Sequence, residues 1–103
     1  MAFVLRFVQR FRIDSQEAFW ELERRFAELE REKPGLPRGK RMRPVAAREP
    51  NHTLVWEAEF PALADVHAAL NSLESLPEHA ALFQQQSPLM LEGYTEIYEL
   101  LDF

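Results

Sequence analysis

An apolar strand that runs directly into an amphipathic helix occurs twice in this chain. Residues 3–13 lead into a helix that Asp14 is expected to cap, and residues 54–60 lead into a helix opened by Pro61. Each helix is followed by another extended segment, so the order of elements is β-α-β-β-α-β. This order predicts an α+β, ferredoxin-like fold, with a four-stranded antiparallel sheet and helices on one face, formed by residues 1–103 as a single domain.

The first strand and the first helix have clean periodicities. In the strand, one face carries Phe3, Leu5, Phe7, Gln9, Phe11 and Ile13. Asp14 and Glu17 have the spacing of a capping box at the start of the helix. The apolar stripe of that helix consists of Phe19, Leu22, Phe26 and Leu29. These patterns predict that helix one packs on the Phe-rich face of strand one.

The boundaries of the later elements carry weaker signals. Residues 38–48 are predicted to be a basic second strand, which Pro44 confines to the sheet edge. Residues 49–52 are expected to form the turn into strand three. The second helical segment is expected to break at residues 75–78 and to resume through about Gln86, before a last strand at residues 94–103.

The charges of the chain are divided between its two halves. Residues 1–48 hold all 12 Lys and Arg with 7 acids, whereas residues 49–103 hold 10 acids and no Lys or Arg. The fold order places strand one between strands three and four. The expected cross-strand partners are Arg6, Arg10 and Arg12 on one side and Glu57, Glu59 and Glu96 or Glu99 on the other. The asymmetry therefore predicts charge matching inside the sheet, worth up to ~1 kcal/mol per pair, rather than nucleic-acid binding.

The second face of the sheet also carries apolar side chains. Val4, Val8, Val55 and either Ile97 or Tyr98 are expected there, ringed by charged residues. Two helices cover only one face of a four-stranded sheet, so this face would remain open in a single chain. Large exposed patches of this kind mark interfaces, and the sequence therefore predicts a homodimer packed sheet against sheet.

Composition removes several classes of function. The absence of cysteine excludes disulfides and thiolate chemistry. The three histidines, at positions 52, 67 and 79, have no metal-ligand spacing, so no metal site is predicted. No glycine-rich phosphate loop, signal peptide or membrane-spanning run is present, which favours a cytoplasmic protein without a membrane partner or a cofactor.

Five residues are candidates for a site. Gln9 is an amide on an apolar strand face, and His67 flanks the apolar stripe of helix two. Trp56 and Tyr98 have the size to line a cavity for an aromatic ligand, and His79 lies at the start of the resumed helix. Each also has a purely structural interpretation: a bonded buried amide, a packing or capping histidine, a core aromatic.

The stretch Leu54-Val55-Trp56-Glu57-Ala58-Glu59-Phe60-Pro61-Ala62-Leu63 resembles the dimeric α/β-barrel superfamily, above all its NIPSNAP-like members and the antibiotic-biosynthesis monooxygenases. The resemblance implies a dimeric α/β barrel with a ligand pocket between sheet and helices. It also implies a cofactor-independent monooxygenase or isomerase acting on an apolar or aromatic substrate. Gln9 and His67 would then polarise or deprotonate the substrate, with Trp56 and Tyr98 as walls and His79 as a further ligand contact.

The haem-degrading members of the superfamily use an Asn, a Trp and a haem-ligating His. The corresponding positions here fall near Gln9, near Val66 or His67, and near Leu82. None of the three residue types matches, so the resemblance does not imply a haem cofactor. An alternative of another class stays open, namely a non-catalytic dimeric binding or assembly module.

Overall fold

The computed structural model describes residues 2–103. Its elements are β1 (Ala2–Phe11), α1 (Gln16–Glu32), β2 (Lys40–Met42), β3 (Thr53–Phe60), α2 (Leu63–Ser75), α3 (Pro77–Gln86) and β4 (Met90–Leu100). Short 3₁₀ turns at Ile13–Ser15 and Ser87–Leu89 precede α1 and β4. The predicted β-α-β-β-α-β order is confirmed, including the break that divides the second helical segment into α2 and α3.

The sheet has the strand order β2-β3-β1-β4, and every pairing in it is antiparallel. The central position of β1 and the edge position of β2 are as predicted. Arg6 lies opposite Glu57 and Glu96 and forms ion pairs with both. Arg10 pairs instead with Glu92, at 2.9 Å, because the register places Glu92 and not a predicted partner beside it.

The remaining predicted charge partners do not meet. Arg12 follows the end of β1, and Glu99 lies opposite Phe3, on the helix side of the sheet. Glu59 lies opposite Val4. Strand alternation explains the case of Glu99, since a shift of one residue moves a side chain to the other face. Glu59 shares the outer face with Arg6, but the residue opposite it on β1 is Val4 and not an arginine.

The core lies between the sheet and the helices. The whole predicted stripe of α1 is buried: Phe19, Leu22, Phe26 and Leu29. Phe11 of β1 stacks on Phe19 with ring centroids 4.4 Å apart, and Leu5 packs with Trp56 and Val66. Burying a side chain of this size contributes about 2 kcal/mol. These contacts fix α1 and α2 on the Phe-rich face of β1.

Several predicted boundaries were wrong. The first strand ends at Phe11, and Asp14 lies inside the 3₁₀ turn, so Ser15 takes the N-cap position of α1 without a side-chain cap hydrogen bond. The capping box is therefore absent. The second strand is only Lys40–Met42 rather than residues 38–48, and the last strand begins at Met90 rather than 94.

Strand β4 is not covered by the helices. Ile97 shares the helix-side face with Leu5, yet 40% of its surface is exposed. Tyr98, opposite Val4, lies on the outer face and is 44% exposed. The outer face therefore holds Tyr98 rather than Ile97, and β4 extends beyond the helical layer. No helix within residues 2–103 has the length and apolar character needed to cross a membrane.

Candidate functional site

A cavity of about 360 Å³ lies between the sheet and the helices, next to β4. Its apolar walls are Phe7, Phe26, Trp56, Leu73, Phe83 and Met90. Its polar lining comprises Gln9, Glu23, Glu30, Arg41, His79, Gln86, Tyr94 and Thr95. Polar residues outnumber apolar ones in this lining, but most of the lining surface is apolar, as is typical of small-molecule sites.

Strand alternation places the sheet residues of this cavity. Phe7 and Gln9 point to the helix side of β1, and Trp56 lies opposite Phe7 on β3. Arg41 of β2 lies opposite Trp56 and so shares its face. The Phe7 and Trp56 rings stack with centroids 4.9 Å apart, and they form one aromatic wall.

Arg41 is held between two buried glutamates of α1. Its Nε donates to Glu23 Oε2 at 2.7 Å, and its Nη1 and Nη2 donate to the two oxygens of Glu30. Burial opposes the charge on Arg41, but the hydrogen bonds and charges of the two glutamates raise its pKa above the ordinary value. Gln86 Nε2 of α3 donates to Glu23 Oε1 at 2.9 Å. We call Glu23, Glu30, Arg41 and Gln86 the buried polar network.

Glu30 connects this network to the aromatic wall. Its Oε1 accepts the Trp56 indole N–H at 3.3 Å and the Gly39 backbone N–H at 3.2 Å. Buried polar groups need such partners, and here they join α1, β2, β3 and α3 around one cavity.

The structure brings together three of the five predicted site residues. Gln9, Trp56 and His79 all line the cavity. His67 is exposed on α2 and does not line it, and Tyr98 lies on the outer face of the sheet. His67 and Tyr98 therefore lie outside this cavity, contrary to the predicted grouping. The catalytic and binding roles assigned to all five residues remain predictions.

His79 is the titratable base of this cavity. It is half-buried and its ring packs on Phe26, with centroids 4.9 Å apart. Burial lowers the pKa of His79 below its ordinary 6.5, although the charge of Glu30 acts in the opposite direction. A neutral imidazole at pH 7 has a nitrogen free to accept a proton or a hydrogen bond.

The lowered pKa of His79 predicts a pH dependence of stability. The unfolded chain binds this proton more readily than the folded chain, so the free energy of unfolding should be highest above about pH 6.5 and should fall as the pH drops below it. Urea unfolding of the H79Q variant should lose this slope. The exposed H67Q variant should keep it, and an unchanged slope in H79Q would contradict the assignment.

Sequence reasoning missed the buried polar network. Glu23 and Glu30 follow Phe19 and Phe26 at a spacing of four residues, which places all four on adjoining positions of the buried face of α1. Acidic residues at such positions were the available signal. Within residues 2–103, no three His, Asp or Glu side chains are grouped closely enough to hold a metal ion.

Several solved structures have a similar fold. A NIPSNAP-like domain protein from Burkholderia xenovorans superposes with a TM-score of 0.80 at 19% identity, over 99% of this chain and 87% of that chain. A NIPSNAP family protein from Agrobacterium tumefaciens gives 0.79 at 17% identity, over 100% and 96%. An antibiotic biosynthesis monooxygenase gives 0.71 at 13% identity, over 99% and 100%.

Sequence comparison adds nothing to this result. No model of a known protein family matches the chain. No curated protein matches it either. At these identities, similarity establishes the fold, and function depends on the site. The chain therefore has the ferredoxin-like fold of the NIPSNAP and antibiotic-biosynthesis-monooxygenase proteins, as the sequence resemblance predicted.

Proposed function

We propose that this protein binds a small aromatic molecule in the cavity between its sheet and its helices. The observation that carries the proposal is the cavity itself, whose 360 Å³ fall within the range of small-molecule sites. The stacked rings of Phe7 and Trp56 offer a flat apolar wall, and Gln9 and His79 offer hydrogen bonds beside it. A ligand with one aromatic ring system and one polar substituent fits this lining.

We further propose that the working form is a homodimer packed through the outer face of the sheet. Tyr94 and Tyr98 of β4 lie on this face and are 39% and 44% exposed, beside the largely covered pair of Val8 and Val55. The charged residues around them are already paired within the chain, as in Arg6 with Glu57 and Arg10 with Glu92. A face whose charges are matched internally presents apolar surface to a second copy, and a two-fold axis makes such a face complementary to itself.

Binding is tested with 2-naphthylmethanol, a neutral bicyclic probe, by isothermal titration calorimetry and native mass spectrometry. We expect one probe per chain. The T95W variant places an indole at the cavity lining and should abolish binding, because Thr95 lines the cavity at an exposed position. The matched I97W variant lies two residues further along the same face, outside the lining, and should bind normally. Absence of binding to the parent protein, or equal binding by both variants, would contradict the proposal.

The same mass spectra report the number of chains. We expect a dimer that Y98E converts to a monomer, since this change puts a charge on the outer face. Leu63 of α2 has nearly the same exposure, 43% against 44%, on the helical layer, so L63E should stay dimeric. A monomeric parent protein, or a Y98E variant that remains dimeric, would exclude this interface.

A catalytic role is favoured by the neutral base in the cavity. In this proposal His79, which lines the cavity, takes the proton of a ligand hydroxyl, the role that the sequence assigned to His67, and Gln9 is the polarising amide. This arrangement supports the proposed cofactor-independent monooxygenase or isomerase. The parent protein is tested for oxygen uptake in the presence of a quinol. Uptake that is lost in the H79Q variant, while H79Q still binds 2-naphthylmethanol, would favour a catalytic function. Binding without turnover would favour the non-catalytic module.

A further inference from the structure

We infer that the cavity selects aromatic ammonium ions over aromatic carboxylates of the same size. This inference rests on the proposed function, because it specifies the ligand class of the same cavity. It comes from the charge that the buried polar network leaves unbalanced beside the aromatic wall.

The ionisable groups that line the cavity come from four elements. Helix α1 supplies Glu23 and Glu30, β2 supplies Arg41, α3 supplies His79 and β4 supplies Tyr94. A hydrogen bond to Glu49 raises the pKa of Tyr94 to about 12, so its hydroxyl is neutral at pH 7, as is the imidazole of His79. Two carboxylates against one guanidinium leave the lining with a formal charge of −1.

Arg41 is the single cation among these lining residues, and it is already hydrogen-bonded within the protein. Every nitrogen of the Arg41 guanidinium donates to Glu23 or Glu30. A ligand carboxylate would therefore meet two buried carboxylates without a free counter-charge. Leaving a charge unpaired in a buried site is strongly unfavourable, and an anionic ligand would have to accept this cost.

A cationic ligand would be attracted by the same two carboxylates. As whole residues, Glu23 and Glu30 are only 5% and 9% exposed, so solvent screens their charges weakly. One unit charge about 6 Å from a ligand charge changes affinity by about a hundredfold at an effective dielectric of about 20. This weakly screened negative charge favours a protonated amine on an aromatic ring system.

The test compares three probes with one carbon skeleton at pH 7: 2-naphthylmethylammonium, 2-naphthylmethanol and 2-naphthoate. We expect the ammonium ion to bind at least about tenfold more tightly than the carboxylate, with the alcohol between them, since desolvation of the ammonium ion offsets part of the Coulomb term. Calorimetry gives the three dissociation constants. A carboxylate that binds as tightly as the ammonium ion would overturn the inference.

Matched variants assign the selectivity to the network. E23Q nearly preserves the shape of Glu23 and balances the network charge, so the preference should fall below about threefold. E21Q makes the same change of charge on the exposed side of α1 and should keep the preference. E30Q repeats the test through the other carboxylate if E23Q does not fold. An unchanged preference in a folded E23Q or E30Q would overturn the inference, whereas failure of all three probes to bind would overturn the proposed function instead.

Discussion

Replacement of Arg41 by methionine is expected to lower the free energy of unfolding by about 3 kcal/mol, the cost of breaking a buried ion pair from one side. The Arg41 side chain is 22% exposed, and those of Glu23 and Glu30 are 7% and 10% exposed. Without the guanidinium, two carboxylates face each other in a poorly solvated site. Urea unfolding followed by circular dichroism measures the loss.

The reason for so large an effect is the number of elements that meet at this side chain. Strand β2 pairs with β3 over only Lys40–Met42, and Arg41 donates three hydrogen bonds to α1 beside the one from the Gly39 N–H. Loss of Arg41 therefore weakens the attachment of an edge strand and removes the counter-charge of two buried groups.

The control for the R41M variant is an exposed ion pair between an arginine and a glutamate. Arg24 donates to Glu21 at 3.3 Å, and both side chains are more than half exposed, so R24M should change stability by less than about 0.5 kcal/mol. The triple variant R41M/E23Q/E30Q removes every charge of the network and should recover most of the lost stability. A destabilisation of R41M no larger than that of R24M would show that the network contributes little.

Addition of one methyl group at Gly39 is expected to cost about 2 kcal/mol, the usual cost of forcing an extra group into a packed site. A Cβ atom at Gly39 would come within 1.9 Å of the Trp56 indole ring. Trp56 is only 4% exposed and is held by Phe7 and Glu30, so its ring has little room to move. Glycine is needed at this position because any side chain would overlap the Trp56 ring.

The same change would alter the cavity. Displacement of Trp56 disturbs the aromatic wall, and displacement of the backbone at Gly39 weakens its hydrogen bond to Glu30. We therefore expect G39A to lose both stability and affinity for 2-naphthylmethanol. G93A is the matched control for stability alone, because Gly93 itself lines the cavity. Its new Cβ would come closer than 3 Å only to the flexible end of Met90, at 2.7 Å. Equal losses of stability in the two variants would contradict the packing argument.

The fold was predictable because its signals are local and periodic. The alternation of side chains in β1 and the buried four-residue stripe of α1 are both present in the structure. Pro77 marks the start of α3, as the sequence indicated. Boundaries were harder, because they depend on partners from elsewhere in the chain. The length of β2, for example, is set by which residues reach β3.

The site was only partly predictable for the same physical reason. Gln9 and Trp56 stand out because each is placed by strand alternation alone. The role of Arg41 depends on the approach of β2 to α1, which no local pattern in residues 38–48 encodes. His67 flanks the apolar stripe of α2 and His79 lies in the first turn of α3, and neither local pattern shows which of them reaches the cavity. The packing of α3 against α1 places His79 there.

The exposure of β4 on both faces has a consequence for how a ligand reaches the cavity. This strand is hydrogen-bonded along β1 alone, and few of its side chains are buried, so no helix closes its side of the sheet. Its first half supplies Met90, Gly93 and Thr95 to the cavity. We therefore expect a ligand to enter beside β4, while the core around Phe11 and Phe19 stays closed. Once bound, it would slow the hydrogen exchange of β4 amides more than that of any helix.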